Sequence, residues 1–422
     1  MSWRKSVVGK FCASVAKYGF RSGIEDSLAR WGQSRLKVPR DVCGDYRWLL
    51  NRESPAMLQA SGQSSLRINW LVPEVTEASG GLLNVVRAIY HLEQWGHRHR
   101  IYVVGDGSAD ASWATDFVRK KYFPIQASVE NFTGQVVDSD ALVATLWKTA
   151  YVARTLGNTA RKFYFVQDLE YLFYPAGSLG EFAKQTYRWG FSGITLGPWI
   201  ADVLGRDFGM QCVPFGFSYD RDIYSPHGRR LFPDGKKRVL FYARPRTERR
   251  GFELGILALS IVARKVPDAE FVLVGFPPRS LNLPFRVLLP GVLPPSELAA
   301  LYRSCNLALV LSHTNLSMLP LELMACDCAL VSNTGHNVEW LLTGETSQLA
   351  NADPESLADA VMTLLHNQEL RNQKVAAGRA LAERTNWSDE IRTIESAFYQ
   401  GLKVSSSSSA VRDAGIFASK DA

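Results

Sequence analysis

SHTNLSMLPLELMACDCALVSNTGHNVEW, residues 312–340, carries the pattern from which the fold is read. An apolar run, Leu307–Leu311, leads into it and reads as a strand, and the polar Ser312–Ser317 then opens as a loop. Pro320 starts a helix, where its missing N–H and fixed φ do no harm. Glu322 falls in the first turn of that helix and points toward whatever lies beyond the strand ends. A second apolar run, Ala329–Ser332, follows, then a Gly335-His336-Asn337 turn with Glu339 opening another helix. Strand, helix and strand in this order predict a parallel sheet. Open parallel sheets bind ligands outside the carboxyl ends of their strands, where both loops fall.

The alternation extends in both directions. Toward the N-terminus, Arg67–Val72 reads as a strand and Pro73–Ser79 as a loop. Gly80-Gly81 then open a helix that carries Leu82, Leu83, Val85, Val86, Ile89, Leu92 and Trp95 on its buried side and stops at Gly96. Arg100–Val104, Ala141–Thr145, Lys162–Val166 and Gly193–Leu196 continue the strand set, and Arg238–Ala243 and Glu270–Gly275 begin a second series. Two successive βα series predict an α/β protein of two doubly wound sheets. A chain of 422 residues accommodates two such domains with extensions.

Composition narrows the class. The hydrophobic fraction of 46% suits a globular protein, and no run approaches the roughly 18 apolar residues of a membrane span. The first residues do not read as a signal peptide, because Lys10 and Lys17 interrupt the apolar ones. The six cysteines are scattered, and Cys326-x-Cys328 is too close and isolated for zinc, so a reducing cytoplasm is expected. Residues 1–40 hold nine Lys/Arg against Glu25 and Asp26, a surplus of seven equal to the net charge of the whole chain, +7. The basic character therefore belongs to the N-terminus. There Trp3, Val7, Val8, Phe11, Val15 and Ala16 recur at helical spacing among lysines. Such a helix suits either an anionic membrane surface or the protein's own body. No aromatic-and-basic groove continues beyond it, so nucleic acid is not an expected partner.

Three further segments carry chemistry. Gly80-Gly81 between strand and helix allow an anion to approach bare backbone N–H groups and the helix dipole, although a double glycine also serves a plain tight turn. Asp168 follows a strand end, in Gln167-Asp168-Leu169-Glu170, as a hydrogen-bond or proton acceptor for a substrate hydroxyl or as a helix cap. Arg244-Pro-Arg-Thr-Glu-Arg-Arg250-Gly251 links a strand to a helix with guanidinium groups suited to a diphosphate. The seven histidines form no HxxxH or DxD-like set, so no metal site is expected; His313, in the 312–317 loop, is either a sugar contact or a packing residue.

Leu319-Pro320-Leu321-Glu322-Leu323-Met324-Ala325-Cys326-Asp327 resembles the second half of the Glu-x7-Glu motif of retaining GT-B glycosyltransferases of the family-4 type. Arg244 and Arg250-Gly251 resemble that family's Arg and Lys-Gly pair, with Arg250 in place of Lys. Gly291-Val292-Leu293 and Pro294–Tyr302 resemble its base-binding loop and helix, and Gln167 stands where relatives often have His. Thr314 occupies the place of the first Glu, and the Thr314-Asn315-x-Ser317 form is similar to bacterial rhamnosyltransferases. The match runs in pieces from about residue 67 to 402.

The resemblance implies a GT-B fold, two Rossmann-like domains facing a cleft. The expected organisation is a basic amphipathic extension (1–65), an acceptor domain (66–217), a linker (218–236) and a nucleotide-sugar domain (237–385). A crossover helix packing on the first domain (386–402) and a disordered tail (403–422) complete it. It also implies a retaining, metal-independent transferase with catalytic residues Asp168, Arg244, Arg250 and Glu322. Gly80, Gly81, Val292, Leu293, Thr314 and Asn315 would join Arg244, Arg250 and Glu322 in holding a nucleotide-diphosphate sugar, with dTDP-rhamnose a candidate donor. No separate cofactor is implied. The acceptor would be a glycan, free or lipid-linked, in surface polysaccharide synthesis, at the inner face of the cell membrane. The rival reading is a glycan-binding or scaffold protein of the same fold.

Overall fold

The computed structural model describes residues 42–50, 55–76, 79–105, 111–245, 247–275 and 283–413. The basic helix expected within residues 1–40 and the last part of the tail, 414–422, lie outside them. The chain divides into two units, Met1–Arg52 and Glu53–Ala422. Of the first, two short helices are described, α1 (Val42–Asp45) and α2 (Arg47–Leu50).

The second unit contains two parallel sheets. The first is built from β1 (Arg67–Val72), α3 (Gly80–Gln94), β2 (Arg98–Val103), α4 (Ala111–Lys121), β3 (Ser128–Asn131), β4 (Ser139–Ala144), α5 (Trp147–Arg154), β5 (Thr159–Val166), α6 (Ser178–Thr186), β6 (Ser192–Leu196), α7 (Pro198–Phe208) and β7 (Cys212–Phe215). Its strand order is β3-β2-β1-β4-β5-β6-β7, all parallel. The central strands are buried on both faces and mostly apolar: all of β4 is buried, because helices cover both faces. In α3 the side chains of Leu82, Val85, Val86, Ile89 and Leu92 enter the core, while Leu83 and Trp95 are only half-buried. The Ser79 hydroxyl caps the helix by accepting from the Leu82 N–H at 3.1 Å.

The second sheet comprises β8 (Arg238–Tyr242), α8 (Phe252–Lys265), β9 (Glu270–Val274), β10 (Val287–Gly291), α9 (Pro295–Tyr302), β11 (Leu307–Val310), α10 (Leu319–Ala325), β12 (Ala329–Asn333), α11 (His336–Glu339) and β13 (Gln348–Ala350). Its order is β10-β9-β8-β11-β12-β13, again parallel. Glu339 closes the short α11 rather than opening a helix; its carboxylate accepts from the Gly335 N–H at 2.7 Å.

Helices α12 (Pro354–His366), α13 (Gln368–Arg384) and α14 (Trp387–Asp413) complete the chain. Helix α14 returns to β5, β6, β7 and α3 of the first sheet. Phe398 packs edge-on to Phe163 with centroids 4.9 Å apart, and Gly401 lets the helix backbone pass that ring. The helix runs to Asp413, past residue 403 where the sequence predicts disorder; Ser405–Ser409 contain neither Gly nor Pro to stop it. Residues 55–65, expected in the extension, lie along the first sheet: the Leu58 N–H reaches the Thr159 carbonyl at 2.9 Å, and bare Gly157 admits Pro55 and Ala56.

In each sheet the strand order reverses once, between β1 and β4 and between β8 and β11. The connections leaving the two strands run to opposite faces of the sheet there, which opens a crevice at the carboxyl edge.

Candidate active site

The two crevices contribute to one cavity of about 590 Å³. The first sheet supplies the turn after β1, the start of α3 and the ends of β4 and β5; the second supplies the loops after β8 and β11 and the start of α10. Asp168, Arg244, Arg250, Glu322, Gly80 and Gly81 all line it.

At the glycine turn the two residues differ. A Cβ on Gly80 would meet nothing, so its backbone faces open space, whereas one on Gly81 would lie 3.2 Å from Gln167 Nε2. That amide donates to the Gly81 carbonyl at 3.0 Å, and Gln167 Oε1 accepts from Asn84 Nδ2 at 2.9 Å. Gln167 thus fastens the start of α3 to the end of β5.

Asp168 is buried between the lobes, and its oxygens are already engaged. Oδ2 accepts from the Thr314 hydroxyl at 2.7 Å; Oδ1 accepts from the N–H groups of Asn315 at 3.0 Å and Leu169 at 2.8 Å. Asn315 Nδ2 donates to the carbonyls of Gln167 at 3.0 Å and Leu196 at 2.8 Å, and its Oδ1 accepts from Trp340 Nε1 at 2.9 Å. Thr314 and Asn315, expected to meet the donor, are 1% and 0% exposed and do not line the cavity. A hydroxyl and an amide here find stronger use in satisfying a carboxylate and carbonyls that the lobe contact would otherwise bury unpaired. The same contact leaves Asp168 little capacity to receive a substrate proton. Burial pushes its carboxyl above the ordinary range, offset by the Asn315 and Thr314 donors and the nearby Arg250 and Arg249 charges.

The loop after β8 brings three guanidinium groups to the cavity. Arg244 is exposed and lies 5.0 Å from the Tyr242 ring centroid. Arg250 is anchored by Nη1, which donates to Ser312 Oγ at 2.6 Å and the Asn315 carbonyl at 2.9 Å. Burial lowers its pKa to about 10, so it stays charged at neutral pH. Arg249, which sequence reasoning passed over, also lines the cavity and stacks 4.2 Å above the Phe173 ring. A run of Arg249-Arg250 was visible, but only the fold shows that both adjacent side chains face the cleft.

Glu322 stands in the first turn of α10 with Tyr224 and Tyr302 lining the same part of the cavity. Burial first, then the Asp220 charge, raises its carboxyl to about 7, against partial stabilisation by the Tyr224 hydroxyl, Arg87 and the Tyr302 hydroxyl. Arg87 is 3% exposed and holds Asp220 through two bonds of 2.6 and 3.1 Å. Val292 and Leu293, expected to hold the base, do not line the cavity; Val292 is 69% exposed. His313 is also outside it, its N–H donating to the Arg249 carbonyl at 2.9 Å.

Glu170 is a further buried carboxyl on the cavity wall. Its Oε2 accepts from the Trp147 N–H at 2.5 Å, capping α5, and from the Tyr164 hydroxyl at 2.9 Å. Burial raises its pKa to about 8, which keeps it neutral at pH 7. Cys305, Cys326 and Cys328 are free, buried and part of the apolar core.

Comparison with known proteins agrees with this architecture. Residues 237–362 match the family described as WsaF, C-terminal domain. The chain is 35% identical over 257 residues to the O-antigen biosynthesis protein RfbC of Myxococcus xanthus, covering 60% of this chain and 20% of that protein. It is 27% identical over 225 residues to the phosphatidyl-myo-inositol mannosyltransferase of Mycobacterium tuberculosis, covering 49% of this chain and 58% of that one. The chain thus spans about a fifth and somewhat over half of these relatives' lengths. The Anabaena protein HepE, solved with UDP and glucose, superposes with a TM-score of 0.58 at 14% identity over 79% of this chain and all of that one. The fold is GT-B: two parallel Rossmann-like sheets with their carboxyl edges turned to a shared cleft.

Proposed function

We propose that this chain is a glycosyltransferase that moves a sugar from a nucleoside-diphosphate donor to a saccharide acceptor in surface polysaccharide synthesis. The observation that carries the reading is the division of the cleft: arginines after β8, a carboxylate at α10, and a bare glycine turn opposite them. A diphosphate is matched by Arg244 and Arg250, whose fixed donors favour the charge that grows as the glycosidic bond breaks. Glu322 is suited to the hydroxyls of the nucleotide's sugar. Gly80 leaves room for close approach of the acceptor.

In the step itself the bond between the anomeric carbon and the distal phosphate oxygen breaks, and its electron pair leaves with the diphosphate. The acceptor oxygen bonds to the anomeric carbon, and its proton passes to a leaving phosphate oxygen. This front-face course retains configuration and leaves Asp168 free to hold the lobes together. We extend the reading to dTDP-rhamnose as donor: Thr314 stands where the resembling family has its first, hexose-contacting Glu, and its hydroxyl is committed to Asp168. The relatives support the class of chemistry, one being named for O-antigen biosynthesis and another for mannosyl transfer to a lipid. A lipid-linked acceptor also suits the basic residues 1–40. No helix among the described residues is long and apolar enough to cross a membrane.

The rival reading, a binding protein that has lost transfer, draws on the saturation of Asp168. Incubating the protein with radiolabelled dTDP-rhamnose, UDP-glucose and GDP-mannose separates the two. Transfer or slow hydrolysis of one donor supports the enzyme, and neither for any donor supports the binding protein.

A further inference from the structure

Resting on the donor-site reading above, we propose that Arg249 is a third diphosphate-binding residue, meeting the distal phosphate and joining donor binding to the contact between the lobes. Four observations carry this. Arg249 belongs to the second sheet's β8 loop, yet its guanidinium stacks on Phe173 of the first lobe. Its Nε is sealed from solvent and makes no hydrogen bond. Asp168 Oδ2 is 3.7 Å away, too far for a hydrogen bond, and is already occupied by the Thr314 hydroxyl. Finally, the side chain is 31% exposed, so the rest of the guanidinium reaches open space in the cavity.

The sealed Nε lies toward Asp168, out of a ligand's reach, so an anion in the cavity would meet the exposed end of the guanidinium through charge-assisted hydrogen bonds. Arg244 and Arg250 create the demand for such an anion. Arg249 feels Arg244, and Arg250 feels both neighbours, as repulsive charges, while Asp168 is the carboxylate acting on both in return. One shared carboxylate against three cations leaves the loop short of negative charge, and a diphosphate corrects the imbalance. The position of Arg249 against Asp168 and Phe173, on the first lobe's side of the cleft, assigns it to the distal rather than the nucleoside-side phosphate.

The arrangement also ties donor occupancy to the first lobe. A diphosphate held by Arg249 fixes a side chain whose guanidinium carbon lies over the Phe173 ring, on the first lobe's side of the cavity. Donor binding then orders the wall against which an acceptor packs.

The test is binding of UDP, dTDP and GDP and their monophosphates, measured by calorimetry on the full chain. Arg249→Gln is expected to weaken the preferred diphosphate roughly ten- to hundredfold, the range for losing charge-assisted bonds. The matching monophosphate should change by less than about twofold, since it lacks the distal phosphate. Arg249→Lys, which keeps the charge without the fork, should fall between the two. Unchanged diphosphate affinity in Arg249→Gln, or equal losses for both nucleotides, would overturn the assignment. Failure of the wild-type protein to bind any nucleoside diphosphate is a different outcome, and it removes the donor-site reading itself.

Discussion

Replacing Thr314 by Val tests what the 312–317 loop does. Valine keeps the shape and removes one O–H, which donates to Asp168 Oδ2 at 2.7 Å with residue exposures of 1% and 8%. A hydrogen bond to an ionised acceptor contributes about 1.5–3 kcal/mol. Arg249, 3.7 Å from the same oxygen, is placed to recover part of the loss, so the expected cost is about 1.5 kcal/mol, the lower end of that range. Urea unfolding at pH 7, followed by tryptophan fluorescence, reads the midpoint shift. A cycle with Asp168→Asn isolates the pair, and a coupling of about 1 kcal/mol or more is expected for groups in direct contact. A cost below about 0.5 kcal/mol with no coupling would refute the reasoning, because exposed groups away from such contacts behave that way.

Other perturbations follow from the same contacts. Glu170 is held at about 8 in the fold, above its ordinary range near 4.3, so the folded state binds the extra proton between those values. Stability therefore falls as pH rises across that window, by at most about 1.4 kcal/mol per unit, and levels off above it. Glu170→Gln should remove this slope from thermal melts taken between pH 5 and 9; equal slopes in the two proteins would contradict it. Glu322, raised to about 7, should bind nucleotide hydroxyls better once ionised, so affinity is expected to rise from pH 6 to 8 and to be flat in Glu322→Gln. Gly401→Ala would place a Cβ 2.6 Å from Phe163, and the overpacking should cost roughly 1–3 kcal/mol in urea melts, with a neutral result contradicting the packing of α14.

The central strands were legible because burial on both faces makes them predominantly apolar, with short unbroken runs such as Trp70–Val72, Ala141–Ala144 and Phe163–Val166. Arg67–Val72 is observed with the bounds the sequence suggests, and β4, β5, β11 and β12 are displaced by a residue or a few. The strands the sequence did not reveal, β3, β7, β10 and β13, are the outermost strands of the two sheets. Strands β3, β10 and β13 are mostly half-buried, and SVEN or QLA carries no apolar run to read. Pairing with a neighbour, a long-range fact, makes them strands.

In the site, residues on loop-to-helix junctions were legible through their chemistry: Gly80-Gly81, Arg244, Arg250 and Glu322 all reach the cavity. Thr314 and Asn315 were not, because a polar side chain in a loop reads alike whether it meets a ligand or another lobe. Their partner, Asp168, is 146 positions away from Thr314. Asp327 ends the Leu319–Asp327 motif and adopts φ 60°, a left-handed conformation that Asp tolerates, while pairing with Arg379.

The most direct measurement is the melting temperature of the wild-type protein and of Arg250→Ala with UDP, dTDP, GDP and ADP. One diphosphate should stabilise the wild type clearly more than the others, by several degrees at a hundredfold excess over its Kd. The shift should be lost in Arg250→Ala, and dTDP as the preferred nucleotide would support rhamnose transfer. Stabilisation by none of the four, or one that survives in Arg250→Ala, would contradict a diphosphate-sugar site in this cleft.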